Sequence, residues 1–182
     1  MSGRWFIVFL LVVVFASTSF AQSAPAFEGS FGYSFLRNFN NFNRHGWVGS
    51  ATGNVNDWLG IKGEAGGSYS DNLNSTSYSF LAGPQITFRA TPVVTPWAHF
   101  LVGVQRTQTS FRILTFPGPM GFLASGTTSD FAIQPGGGID YWLQPHFGLR
   151  LGADYRRAFR ENRRDIDYFR LQAGIVFRFG TR

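Results

Sequence analysis

Apolar and polar residues alternate one by one along most of this chain, most clearly in its last segment. Phe169, Leu171, Ala173, Ile175, Phe177 and Phe179 share one face of an extended chain. Arg170, Gln172, Gly174 and Arg178 share the other, with Val176 the exception. A period of two marks a β-strand. The same rhythm upstream predicts about eight strands, near Phe27–Leu36, Gly46–Asn56, Leu59–Tyr69, Ser77–Arg89, Trp97–Thr109, Asp130–Leu143, Phe147–Arg156 and Tyr168–Phe179. Glycines interrupt every segment and no stretch keeps a 3.6-residue period, which argues against helices. The connections near 57–58, 90–96 and 144–146 are short. Those near 37–45, 70–76, 110–128 and 157–166 are mostly longer and more polar. The fold class expected is all-β.

One segment escapes the alternation. Phe6 to Ala16 is an unbroken apolar run behind Arg4, shorter than the ~20 residues of a membrane-spanning helix. Ser19-Phe20-Ala21 follows with small residues where a signal peptidase reads. Residues 1–21 are therefore expected to be a cleaved signal peptide, and residues 22–182 a single barrel domain. The chain has no cysteine, so an exported fold must hold together by packing and backbone pairing alone.

Composition decides which environment the strands face. Aromatic residues make up 18% and charged residues only 14%, against roughly 25% charged in soluble domains. Few charges and many aromatics, without a long apolar run, suit a transmembrane β-barrel, whose apolarity is hidden in alternate positions. Phe, Tyr and Trp gather near strand ends on the apolar faces, as in an interfacial girdle. The opposite faces gather charges of both signs. The net charge of +6 would attract polyanions, but export excludes nucleic acid and leaves anionic lipid headgroups.

Three stretches carry a family resemblance: Gly32-Tyr33-Ser34-Phe35, Gly136-Gly137-Gly138-Ile139-Asp140-Tyr141 and the closing strand. With them the chain resembles the small eight-stranded outer-membrane β-barrels, the OmpA-like transmembrane domain and its OmpX-like relatives. The resemblance implies a closed antiparallel transmembrane β-barrel in the bacterial outer membrane, expected to be a monomer. Gln172, Gly174, Phe177 and Phe179 match in order the family's assembly signal, which implies the barrel-assembly machinery as a partner during insertion. Many relatives end on the aromatic residue, whereas Gly180-Thr181-Arg182 follow Phe179 here. The implied role is structural or adhesive, carried by surface loops and not enzymatic.

Candidate chemistry follows from which face each residue takes. The interior of an eight-stranded barrel is just wide enough for its own side chains. Glu28, Lys62, Glu64, Arg89, Asp130, Asp140, Arg150, Asp154, Arg170 and Arg178 are expected to pair there in a polar network. A narrow channel for ions or very small solutes is the alternative use of that network. A lipid-A-modifying enzyme is a third reading. It would need a Ser/His pair with a carboxylate, and His45, His99 and His146 show no such spacing. No cofactor or metal site is expected, because the histidines are far apart and cysteine is absent. Arg156, Arg157, Arg160, Arg163 and Arg164 form an arginine-rich outer loop suited to polyanions, lipopolysaccharide phosphates among them. Outer-membrane lipid is the partner common to the whole surface.

Overall fold

Inside a bilayer no water satisfies a free strand edge, so strands can cross only if the sheet closes on itself. The computed structural model shows this closure; it describes residues 24–38, 43–70, 75–114, 121–160 and 164–180. The strands are β1 (Phe27–Asn38), β2 (Asn43–Asn54), β3 (Leu59–Ser70), β4 (Ser75–Thr87), β5 (Val94–Leu114), β6 (Gly121–Gln144), β7 (Phe147–Phe159) and β8 (Ile166–Phe179). Each pairs antiparallel with its sequence neighbour, and β8 returns to β1 from Phe27↔Phe179 to Asn38↔Tyr168. The expected signal peptide and Arg163 lie outside the described residues.

Three tight connections share one end. Between β2 and β3 the Asn56 side chain accepts the backbone N–H of Trp58 at 3.0 Å and of Leu59 at 2.6 Å. Between β4 and β5 the Thr91 hydroxyl donates to the Val94 carbonyl at 2.8 Å. Pro145-His146 turns β6 into β7. Short turns mark the periplasmic end of such a barrel.

The opposite end corrects one expectation. The stretch 110–128 is largely hairpin, because β5 and β6 stay in register from Val94↔Tyr141 to Leu114↔Gly121. Ser125 to Ser129 are small hydroxyl residues and glycine, without an apolar face to reveal a strand. Their backbone pairs all the same. β5 has 21 residues and β6 has 24, where a membrane crossing needs roughly 9–11. The upper hairpin therefore stands beyond the hydrocarbon.

Alternation sorts the side chains as the sequence predicts. Phe27, Phe31, Phe80, Phe100, Leu149, Leu151, Phe169 and Leu171 are exposed on the outer wall. Phe27 is 65% exposed and Phe80 61%, values that a water-soluble protein would not give a whole belt of phenylalanines. Charged and amide groups fill the inside, where Lys62, Gln85, Gln134 and Asp140 are all 0% exposed. The interior is not wholly polar. Leu81, Leu101 and Ala132 form a small apolar cluster in it, and Trp97, Trp142, Tyr168 and Val176 are also buried.

The closing seam needs two glycines face to face. Gly32 pairs with Gly174, and a Cβ on Gly174 would lie 2.3 Å from the Phe31 carbonyl oxygen. The neighbour is backbone and cannot swing away. Gly174→Ala should therefore cost roughly 1–3 kcal/mol by overpacking and reduce the fraction of cold, SDS-resistant barrel on a gel. Gly29→Ala, with nothing within 4 Å of its added methyl, should leave that fraction unchanged. Equal behaviour of the two variants would refute the seam argument.

Candidate functional site: the lumen network and the outer rim

Strand alternation places the inward charges, and the register decides which of them meet. Near the periplasmic end, Arg150 on β7 grips Asp140 on β6 with two hydrogen bonds of 2.7 Å, through Nε and Nη2. Asp140 also accepts the Trp97 indole N–H at 3.1 Å. Glu28 receives Arg89, and its other oxygen lies 3.6 Å from Arg150. Trp97 is the apolar centre of this layer. Lys62 lies 4.7 Å and Arg150 5.1 Å from its ring centroid, and His99 stacks on it at 5.2 Å.

Glu64 and Asp154 hold the middle of the lumen. Arg170 bridges them, with Nη1 2.7 Å from Glu64 Oε1 and Nε 2.8 Å from Asp154 Oδ2. Lys62 lies 3.5 Å and Arg156 3.8 Å from Glu64, and Gln134 donates to it at 3.0 Å. Gln172 donates to Asp154 at 3.2 Å. His99 Nε2 faces Asp154 Oδ1 at 2.9 Å, while its Nδ1 lies 3.2 Å from Lys62. Gly136 makes room for this contact, since a Cβ there would sit 1.9 Å from Asp154 Oδ1.

Two residues of the expected network sit at its margins. Asp130, buried toward the extracellular end, pairs with Arg160 at 3.3 Å. Arg178 lies at the periplasmic mouth, 4.1 Å from the Trp142 ring, and donates to the Pro145 carbonyl rather than to a carboxylate. The assembly-signal positions fall on both faces of β8. Gln172 and Gly174 point inward, and Phe179 is exposed on the outer wall.

The arginine-rich stretch needs a larger correction. Arg156 belongs to the lumen, buried and donating through Nε to Gln134 at 2.7 Å. Its parity on β7 matches Arg150 and Asp154, so the strand runs through the position where a loop was expected to begin. Arg157 is outward and bound to Asp165 at 2.8 Å. That hydrogen bond holds the Asp165 carboxyl below the usual carboxylate range. Tyr155 donates to Asp167 at 2.7 Å. Arg164 is exposed.

Sequence reasoning passed over two groups inside the barrel. Trp97 and Trp142 were missed because polarity was used to choose the inner face; their parity with His99 and Asp140 was the available signal. Arg44 was assigned to the 37–45 loop, although it lies on β2 and points inward.

The three histidines sit in different parts of the barrel. His45 Nδ1 meets the Tyr33 hydroxyl on the outer wall, and His146 Nδ1 lies 3.3 Å from the Arg178 carbonyl. Among the described residues no serine or threonine hydroxyl is hydrogen-bonded to a histidine.

Removing the central carboxylate tests the network. Glu64→Ala leaves Arg170, Lys62 and Arg156 facing each other in a closed space. Breaking a buried pair in this way costs about 3–5 kcal/mol, so the midpoint of denaturant unfolding should fall clearly. An unchanged midpoint would mean that the lumen charges are solvated rather than paired.

The comparisons agree with this geometry. A family model described as "Outer membrane protein beta-barrel domain" matches residues 7–179. Neisserial surface protein A has a similar structure, with TM-score 0.65 and 15% identity over 84% of this chain and 96% of that one. OprG from Pseudomonas aeruginosa superposes with TM-score 0.56 and 12% identity, over 88% of this chain and 99% of that one. The Yersinia pestis attachment invasion locus protein Ail, solved in complex with the heparin analogue sucrose octasulfate, gives TM-score 0.53 and 19% identity. That match covers 85% of this chain and 99% of Ail. No curated protein matches the sequence. Closed topology, an apolar outer wall and the family match lead to one assignment: the chain belongs to the outer membrane protein β-barrel family and resides in the bacterial outer membrane.

Proposed function

We propose that the protein is a non-enzymatic, monomeric structural barrel whose activity lies in its outer rim, in adhesion or envelope integrity. The observation that carries this reading is the filled lumen. Its central charges pair through Glu64, Asp154 and Arg170, and Leu81, Leu101 and Ala132 add a small apolar cluster. A barrel filled in this way is a stable post rather than a passage. In planar bilayers it should add no discrete conductance steps. Reproducible steps that vanish in Glu64→Ala would support the channel reading instead.

The rim offers chemistry that the lumen does not. Arg157 and the Arg160 backbone N–H both contact Asp165, the sequence neighbour of the exposed Arg164, and Arg163 precedes Arg164 in the sequence. Guanidinium groups match phosphate and sulfate oxygens in pairs. The partner class proposed is a phosphate- or sulfate-bearing surface glycan, with lipopolysaccharide phosphates the nearest source. The sucrose octasulfate bound in the Ail structure supports the same class of ligand for a barrel of this shape. Cells displaying the protein should bind immobilised heparin, and binding should weaken as salt rises. A variant with Arg160, Arg163 and Arg164 changed to Gln should lose most of that binding. Full retention by the triple variant would remove the rim from consideration.

A further inference from the structure

Among the described residues, the middle and upper lumen carry more positive charge than the buried carboxylates there balance. Lys62, Arg44, Arg156 and Arg170 are buried there, against Glu64 and Asp154. Asp130 is engaged by Arg160. Near the periplasmic end Glu28 and Asp140 match Arg89 and Arg150. With Lys62 protonated, the four cations Lys62, Arg44, Arg156 and Arg170 exceed the two carboxylates Glu64 and Asp154 by two charges among the described residues.

Arg44 is where this excess is least satisfied. It is 7% exposed, and its guanidinium lies 6.0 Å from the Tyr168 ring centroid. Nη2 donates to Ser75 Oγ at 3.1 Å. Nη1 is buried and has no hydrogen-bond partner, and no carboxylate pairs with Arg44 among the described residues. A buried guanidinium nitrogen without an acceptor is costly.

The surroundings supply donors. Ser70, Ser75, Ser77 and Thr107 are buried hydroxyls on the facing strands, and Thr109 Oγ1 lies 3.4 Å from Ser75 Oγ. Tyr168, on the other side of Arg44, is the register partner of Arg156. Arg156 is itself held largely by the neutral amides of Gln134 and Gln105. A neutral solute would leave the charge imbalance in place, whereas a small anion meets both the charge and the open donor.

We infer that the extracellular half of the lumen is a binding site for one small oxyanion of phosphate or carboxylate size, centred on Arg44 and its hydroxyl neighbours. Guanidinium and hydroxyl donors take the oxygens, and Arg156 contributes charge from beyond Tyr168. The site is separate from the rim arginines and does not depend on the rim reading.

The test is a phosphate titration of the refolded full chain in detergent micelles, reading the unfolding temperature at constant ionic strength. Inorganic phosphate should raise that temperature along a saturating curve. Arg44→Gln should weaken the apparent affinity roughly tenfold or more, as expected for losing a charge-assisted contact. Ser75→Ala, a smaller change that keeps the fold if Arg44→Gln does not, should weaken it less. The rim variant Arg164→Gln should keep the full response. A linear rise shared by every variant is what phosphate gives by exclusion from the protein surface, and would overturn the site. A response lost in Arg164→Gln but intact in Arg44→Gln would also overturn it, while leaving the rim reading in place.

Discussion

Everything in this structure depends on one constraint: in the hydrocarbon of a membrane no backbone N–H or C=O can be left without a partner. Eight strands meet it by closing β8 onto β1 through an uninterrupted ladder of pairs. Closure turns each strand into a wall with lipid on one side and a confined lumen on the other. The period-two alternation follows directly, because every second side chain must suit each environment. The seam fixes where glycine is needed, since Gly32 and Gly174 let the two backbones approach.

Closure also creates the interior problem. Inward side chains are cut off from bulk water, so charges placed there must find one another. Glu64 and Asp154 do so by sharing Arg170, and Asp140 by its two-pronged contact with Arg150. Trp97 fills the space between with a surface that both Lys62 and Arg150 can face. The network ties β3, β6, β7 and β8 to one another across the lumen. Toward the extracellular end, Arg44 has no carboxylate partner among the described residues.

How far the sequence revealed this depends on which signal each residue carried. β8 was legible because Phe169 to Phe179 alternate strongly and face lipid, and Glu28, Lys62, Glu64, Asp140, Arg150, Asp154 and Arg170 were legible as inward charges for the same reason. The upper halves of β5 and β6 were not, because small hydroxyl residues without an apolar face look like a loop until backbone pairing is seen. Arg156 was misleading for the opposite reason. It belongs to a run of arginines in sequence, but strand parity separates it from Arg157 and turns it inward. Trp97, Trp142 and Leu101 were hidden by the assumption that a lumen is polar throughout. Pairing between distant strands, such as Glu64 with Arg170, rests on closure of the whole barrel and has no local trace in the sequence.

The absence of cysteine makes the central claim directly measurable, because a single introduced thiol reports without background. Cysteines placed one at a time at positions 169 to 172 of the membrane-inserted barrel should alternate in their response to a lipid-soluble thiol reagent. Positions 169 and 171 should react from the bilayer, and positions 170 and 172 should be shielded within the lumen. Alternation of opposite phase, or uniform labelling by a water-soluble reagent, would show that the apolar face points inward and that the barrel does not sit in lipid.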